Sequence, residues 1–197
     1  SALLEAMQER QSTVDGETRP LPDPFLVMAT QNPIEMEGTF PLPEAQLDRF
    51  MVRIKLGYPT PEEESDILLR FERDSVVDAI DAVTDGAELG RIKRQVTEVR
   101  VDDTVREYIV AIAQASRVNQ GLMLGASPRG AMAMYKTAQA TAAIDGRDFV
   151  TPDDVKSVVP HVLPHRMVLT STARLRGRST ENVVREIMAS VPVPIER

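Results

Sequence analysis

Two kinds of apolar pattern divide the chain near residue 59. Ahead of that point, Phe25-Leu26-Val27-Met28-Ala29-Thr30 is a continuous apolar run, the pattern of a parallel strand covered on both faces. Gln31-Asn32-Pro33 ends it, since proline lacks an N–H and pushes Asn32 toward extended geometry. Residues 51–56 alternate instead, with Val52, Ile54 and Leu56 set against Arg53 and Lys55. That predicts an edge strand with one dry and one wet face. Within 11–21, Asp15-Gly16 predicts a two-residue hairpin turn, because both positions tolerate positive φ. Residues 1–10 read as a helix with Ala2, Leu3, Ala6 and Met7 on one face. No cap precedes them, so the chain reads as beginning inside or beside a longer element.

After the stiff linker Tyr58-Pro59-Thr60-Pro61 only helical periodicity is visible. Glu62, Glu63 and Glu64 suit a helix start, where the macrodipole favours anions. Asp102 or Asp103 is placed to cap a helix carrying Val105, Ile109, Ile112 and Ala113 inward. Ser127 caps the next, with Pro128 in its first turn. Thr151-Pro152-Asp153-Asp154 is a capping-box start. A last helix over 180–191 turns Val184, Ile187, Met188 and Val191 inward. The sequence thus predicts a mixed α/β piece, residues 1–59, followed by an all-α piece, residues 60–197.

Composition narrows the function. The 197 residues carry a net charge of −7 and 42% hydrophobic residues, so the chain is globular and a poor general partner for nucleic acid, whose phosphates are met by Lys and Arg. Aromatic residues are 4% and Trp is absent, which disfavours base stacking. Cysteine is absent, which removes disulfides, thiolate metal sites and cysteine nucleophiles and suits a cytoplasmic setting. No apolar run approaches membrane-spanning length.

Three residues stand out as candidate chemistry, each with a plainer alternative. Asn32 follows the predicted buried strand, where open α/β sheets bind ligands; satisfying the turn before Pro33 also accounts for it. Arg49 is either a surface partner of Asp48 or Glu44, worth about 0–1 kcal/mol, or an arginine finger, worth about 10³–10⁵ in rate. Arg129 falls in the first turn of a helix, where the dipole disfavours a cation. It needs an anion there, either an acidic side chain or a phosphate. His161 and His165 have metal-ligand spacing, but Pro164 interrupts them and no third ligand is near in sequence. Arg174, Arg176 and Arg178 read as a solvated loop, with an acidic partner surface as the alternative. Met132 and Met134 read as packing. Residues 121–125 are no phosphate loop, because no Lys-Ser/Thr follows at the required spacing.

Several segments, in order, closely resemble the MoxR-type AAA+ ATPases. They are Ser1-Ala2-Leu3-Leu4-Glu5-Ala6-Met7-Gln8-Glu9, Ala29-Thr30-Gln31-Asn32-Pro33 and the stretch from Gly38-Thr39-Phe40 to Leu47-Asp48-Arg49-Phe50. Gly125-Ala126-Ser127-Pro128-Arg129, residues 146–155 and Ser190-Val191-Pro192-Val193-Pro194 complete the set. The resemblance covers essentially the whole chain. It implies the incomplete second half of an AAA+ P-loop core (α/β), residues 1–59, and a helical lid (all-α), residues 60–197. It further implies that Asn32 is sensor 1, positioning the attacking water near the γ-phosphate. Arg49 is then the arginine finger acting on the next subunit's nucleotide, and Arg129 is sensor 2, reaching its own subunit's phosphates. The hairpin at Asp15-Gly16 would face the centre of a ring. The implied cofactors are ATP and Mg²⁺. The implied assembly is a homo-oligomeric ring, usually a hexamer, with a von Willebrand factor A domain protein as partner and chaperone-like remodelling as the activity.

The family's Gly-rich phosphate loop and its Asp-Glu metal motif do not occur in these residues; the resemblance places both just ahead of Ser1. Without them nothing here cradles the β- and γ-phosphates or holds Mg²⁺. By itself the chain therefore also reads as a non-catalytic assembly module. A magnesium-chelatase-like or helicase-like relative shares the same sensors, and the acidic composition argues against the helicase. The phosphate-loop strand belongs between the two strands predicted here, so each is left with an unpaired edge. Residues 1–59 should be weakly protected from hydrogen exchange and 60–197 well protected. Uniform protection across both in this chain would contradict that expectation.

Overall fold

The computed structural model describes residues 2–31, 43–71 and 80–194. A first helix, α1 (Ala2–Glu9), leads into a hairpin of β1 (Gln11–Val14) and β2 (Glu17–Pro20), paired antiparallel with Val14 opposite Glu17. Asp15 (φ 52°) and Gly16 (φ 82°) form the turn with both residues left-handed, as the dipeptide predicts. Glu5 of α1 accepts a 2.5 Å bond from the Thr13 hydroxyl, tying helix to hairpin.

Next come α2 (Glu44–Leu47), α3 (Pro61–Phe71) and α4 (Gly86–Glu98), of which α3 and α4 bury no side chain. The core lies further on, between α5 (Asp103–Val118), α6 (Pro128–Ile144), α7 (Pro152–Val162) and α9 (Thr180–Ser190). Ile112, Met134, Val159, Leu163 and Val183 are fully buried there. The inward face predicted for α5 is the observed one, extended by Tyr108 and Ser116. On α9, Val183, Val184 and Ile187 are buried, with Val191 just beyond the helix end. At the start of α7 the Thr151 side chain accepts from Asp154 N while the Asp154 carboxylate accepts from Thr151 N, completing the predicted capping box. Arg147 pairs with the same carboxylate at 2.6 Å.

Several expectations are corrected. The run at residues 25–30 forms no strand and is not buried: Leu26 is 77% and Met28 85% exposed. Residues 51–56 form no strand either, and Leu56 is 93% exposed. The physical reason is the same for both: among the described residues neither finds a ladder partner, and an extended segment without one gains no cross-strand bonds. The second piece is not purely helical, because β3 (Leu122–Leu124) pairs antiparallel with β4 (Val168–Leu169). These segments are too short to show a period of two. A short helix, α8 (Ser171–Leu175), follows β4.

Replacing Ile112 by Ala removes a fully buried side chain from the centre of this core. It should cost about 2–5 kcal/mol, measured as the shift in urea midpoint at constant m-value; a loss below 1 kcal/mol would mean that the core closes around the gap.

Candidate functional site

The loop before α6 is pinned to α5 by its smallest residues. A Cβ on Gly125 would stand 2.7 Å from the Arg117 backbone, so only glycine permits this approach. The Ser116 hydroxyl, itself bonded to the Ala113 carbonyl at 2.6 Å, accepts from Ala126 N at 2.9 Å. Arg117 Nε donates to the Ala126 carbonyl at 2.9 Å. These bonds fix where α6 begins, and hence where Arg129 stands.

Ser127 occupies the N-cap position of α6, but its side chain caps nothing. Its hydroxyl instead donates to both carboxylate oxygens of Asp48, each at 3.1 Å. A cap worth about 1 kcal/mol is exchanged for a charge-assisted bond to a residue 79 positions earlier. Asp102 likewise stands at the N-cap of α5 without a capping bond, its carboxylate accepting from Arg100 at 2.6 Å.

Asp48 is also the partner of Arg166, which lies in the 3₁₀ turn Pro164–Arg166 after α7. The two side chains meet at 2.8 Å with the guanidinium 2% exposed and the carboxylate 19%. Arg166 donates further to the carbonyls of Asp48, Phe50 (2.5 Å), Met51 (3.4 Å) and Val162 (2.9 Å). His165 Nε2 also meets the Phe50 carbonyl, at 3.0 Å. A carbonyl only accepts, so Nε2 carries the proton and Nδ1 does not; buried Nδ1 has no partner among the described residues. Burial pushes the His165 pKa below its ordinary value, so the ring is neutral. Downstream, Arg53 N donates to the His161 carbonyl at 2.8 Å. Glu181 of α9 takes both Arg53 (2.7 Å) and Lys55 (2.6 Å). The Lys55 bond, with the charges of both cations, pushes Glu181 down to about 2.

Docking residues 48–55 in this way opens a cleft of about 340 Å³ between them and α6. Among the described residues Arg49, Arg129, Lys136 and Arg166 line it against one carboxylate, that of Asp48, and Met7, Met51 and Met132 supply apolar wall. Arg166 is already matched by Asp48, so the remaining cations face one another. Arg49 Nε and Nη1 are buried with no hydrogen-bond partner among the described residues. Leaving such donors unmade costs about 1–3 kcal/mol or more. An anion entering the cleft would relieve both the mutual repulsion and the unmet donors.

Arg49 and Arg129, 80 positions apart, are thus brought together. Asn32 lies outside the described residues, as does Gly38-Thr39-Phe40. The alternative of an Arg49–Asp48 pair fails, because Asp48 is bound to Arg166 and Ser127. His161 and His165 join no group of three potential metal ligands among the described residues. Arg178 pairs with Glu186, while Arg174 and Arg176 are exposed near the positive-φ turn at Gly177. Met134 is core as expected, but Met132 faces the cleft. Sequence reasoning passed over Lys136 and Arg166. Lys136 was within reach, since it lies seven residues after Arg129 on the same helix face. Arg166 carries no such local signal, because its acceptors on residues 48–51 lie more than a hundred positions earlier.

Residues 1–52 match the family described as "ATPase family associated with various cellular activities (AAA)", and residues 114–187 match "AAA lid domain". An uncharacterized protein of Bacillus subtilis, YeaC, is 49% identical over 197 residues, which is all of this chain and 62% of YeaC. "Chaperone MoxR1" of Mycobacterium tuberculosis is 41% identical over 203 residues, covering 98% of this chain and 53% of that protein. A crystal structure of a Cytophaga hutchinsonii protein, designated a candidate ATPase, superposes with a TM-score of 0.91 at 35% identity, covering 98% of this chain and 61% of that one. The fold is therefore that of part of an AAA+ ATPase core with its lid. Within that class the chain belongs to the MoxR-type AAA+ ATPases, and it spans a little over half the length of these relatives.

The Glu181 carboxylate is depressed in the folded chain, so its contribution is present above the unfolded value near 4.5 and is lost as pH falls through about 2. With the side chain 34% exposed, that contribution is at most about 1 kcal/mol. In Glu181→Gln the unfolding midpoint should lose part of its acid dependence between these values. Superimposable pH profiles for the two proteins would show that the triad anchors nothing.

Proposed function

We propose that this chain is the sensor, finger and lid portion of an ATP-hydrolysing ring, which couples turnover to chaperone-like remodelling or maturation of protein complexes. The observation that carries the reading is the cleft lined by Arg49, Arg129 and Lys136, in which Arg49 Nε and Nη1 are buried without a partner among the described residues. Guanidinium groups match phosphate oxygens in charge and geometry, so each arginine suits a phosphate, and the two serve different nucleotides. In this reading Arg129 binds the phosphates of its own subunit's ATP. Arg49 stabilises charge developing on the nucleotide of the adjoining subunit, and Asn32 orients the attacking water. Mg²⁺ would accompany the ATP and neutralise phosphate charge, held by the family's Asp-Glu motif rather than by residues of this chain. The name of one relative, Chaperone MoxR1 of Mycobacterium tuberculosis, supports the chaperone-like role.

The assembly proposed is a homo-oligomeric ring, a hexamer, working in the cytoplasm with a von Willebrand factor A domain protein as partner. No helix among the described residues is long and apolar enough to cross a membrane. The net charge of −7 leaves nucleic acid a poor partner.

The experiment is Arg49→Ala in the intact protein that supplies the family's phosphate loop. Turnover should fall by about 10³-fold or more, while ATP affinity stays within about threefold. Arg129→Ala should weaken ATP binding as well as turnover. Wild-type turnover in Arg49→Ala would remove Arg49 from the mechanism.

A further inference from the structure

Arg49, the residue on which the proposed chemistry rests, is held in place by its neighbours. Asp48 on one side offers its carbonyl and its carboxylate to Arg166, and Phe50 and Met51 on the other offer their carbonyls. Arg166 Nε closes back on the carbonyl of Val162, the last residue of α7, at 2.9 Å. A guanidinium has five N–H donors in a rigid fork, and five acceptors are present here. Four lie on residues 48–51, and none is on Arg49. His165 adds a second donor to the Phe50 carbonyl, and Ser127, two residues before Arg129, adds one to Asp48. The backbone either side of Arg49 is thus joined to the turn after α7 and to the start of α6, while the Arg49 side chain is left for the cleft.

We propose that Arg166 is a positioning residue for the arginine finger, locking the backbone around Arg49 to the helical lid so that Arg49 and Arg129 move as one body. The inference rests on the reading of Arg49 given above, but the clamp itself is a matter of geometry. A purely structural ion pair would need only the 2.8 Å contact with Asp48. The additional carbonyl bonds fix the direction of the backbone from which Arg49 projects. Lysine cannot replace the fork: its ammonium has three donors on a flexible stem. A displacement of about 1 Å of a reacting group can cost on the order of 10² in rate, so loss of the fork should be visible in turnover.

Two measurements on Arg166→Lys, which keeps the charge and removes the fork, test the proposal. The chain has no cysteine of its own, so spin labels on Ala45→Cys and Met132→Cys report only the separation of α2 from α6. The distance distribution should be narrow with Arg166 and broad with lysine, while the circular dichroism of the helices is unchanged. An equally narrow distribution overturns the proposal; if the lysine variant does not fold, Asp48→Asn is read the same way. In the intact ATPase, Arg166→Lys should lower kcat about 10²-fold with KM for ATP unchanged. Adding it to Arg49→Ala should cost nothing more, because both act through one group. Additive losses overturn the proposal. Should Arg49→Ala alone retain full turnover, the reading of Arg49 fails, and the label distances still decide whether the clamp exists.

Discussion

A buried guanidinium stays charged, and it is tolerated only where its N–H groups find acceptors. Arg166 meets that constraint by drawing in a segment more than a hundred positions earlier in the chain. Most of what is functional about the structure depends on that demand. Residues 48–51 form no strand, and their two apolar side chains, the partly buried Phe50 and the half-exposed Met51, lie outside the hydrophobic core. They are placed because their carbonyls and one carboxylate satisfy a cation that burial has stripped of water. The helical core of α5, α6, α7 and α9 supplies the rigidity. Arg166 transmits that rigidity to a segment outside the core.

The cleft that results is electrostatically incomplete. Among the described residues Asp48 is the one carboxylate of its charged walls, and it is engaged from two sides by Arg166 and Ser127. Among the described residues Arg49, Arg129 and Lys136 have no anion in the cleft beyond that shared group. The low dielectric of a partly enclosed site magnifies their repulsion. A site held in this state favours multiply charged anions over singly charged ones, since each added negative oxygen relieves another cation. The methionines along the wall bring no charge and adapt to irregular shapes.

Local features were legible in the sequence. The Asp15-Gly16 turn, the capping box at Thr151 and Asp154, and the inward faces of α5 and α9 follow from backbone preference or helical period. Arg129 was conspicuous because a cation in a first helical turn is locally unfavourable. Residues 25–30 and 51–56 failed as predicted strands for a non-local reason: an apolar run reports an intention to be covered, and a strand exists only once a partner supplies the ladder. The diversion of the Ser127 hydroxyl to Asp48 had no signal either. The N-cap pattern was present, and tertiary contact took its side chain elsewhere. The resemblance to a family supplied roles for Asn32, Arg49 and Arg129 that spacing left open, but it gave no hint of Arg166.

Three of the bonds that hold residues 48–51 go to main-chain carbonyls, which every amino acid possesses. Positions 50 and 51 can therefore change side chain without loosening the attachment. Asp48 cannot, because its carboxylate is the one side-chain acceptor on that segment. Among variants that keep this geometry, substitution should concentrate at positions 50 and 51 and spare the pair of residues 48 and 166. The attachment of the segment is thus largely independent of its own sequence, and the side chains at positions 50 and 51 are free to adapt to whatever surface lies opposite.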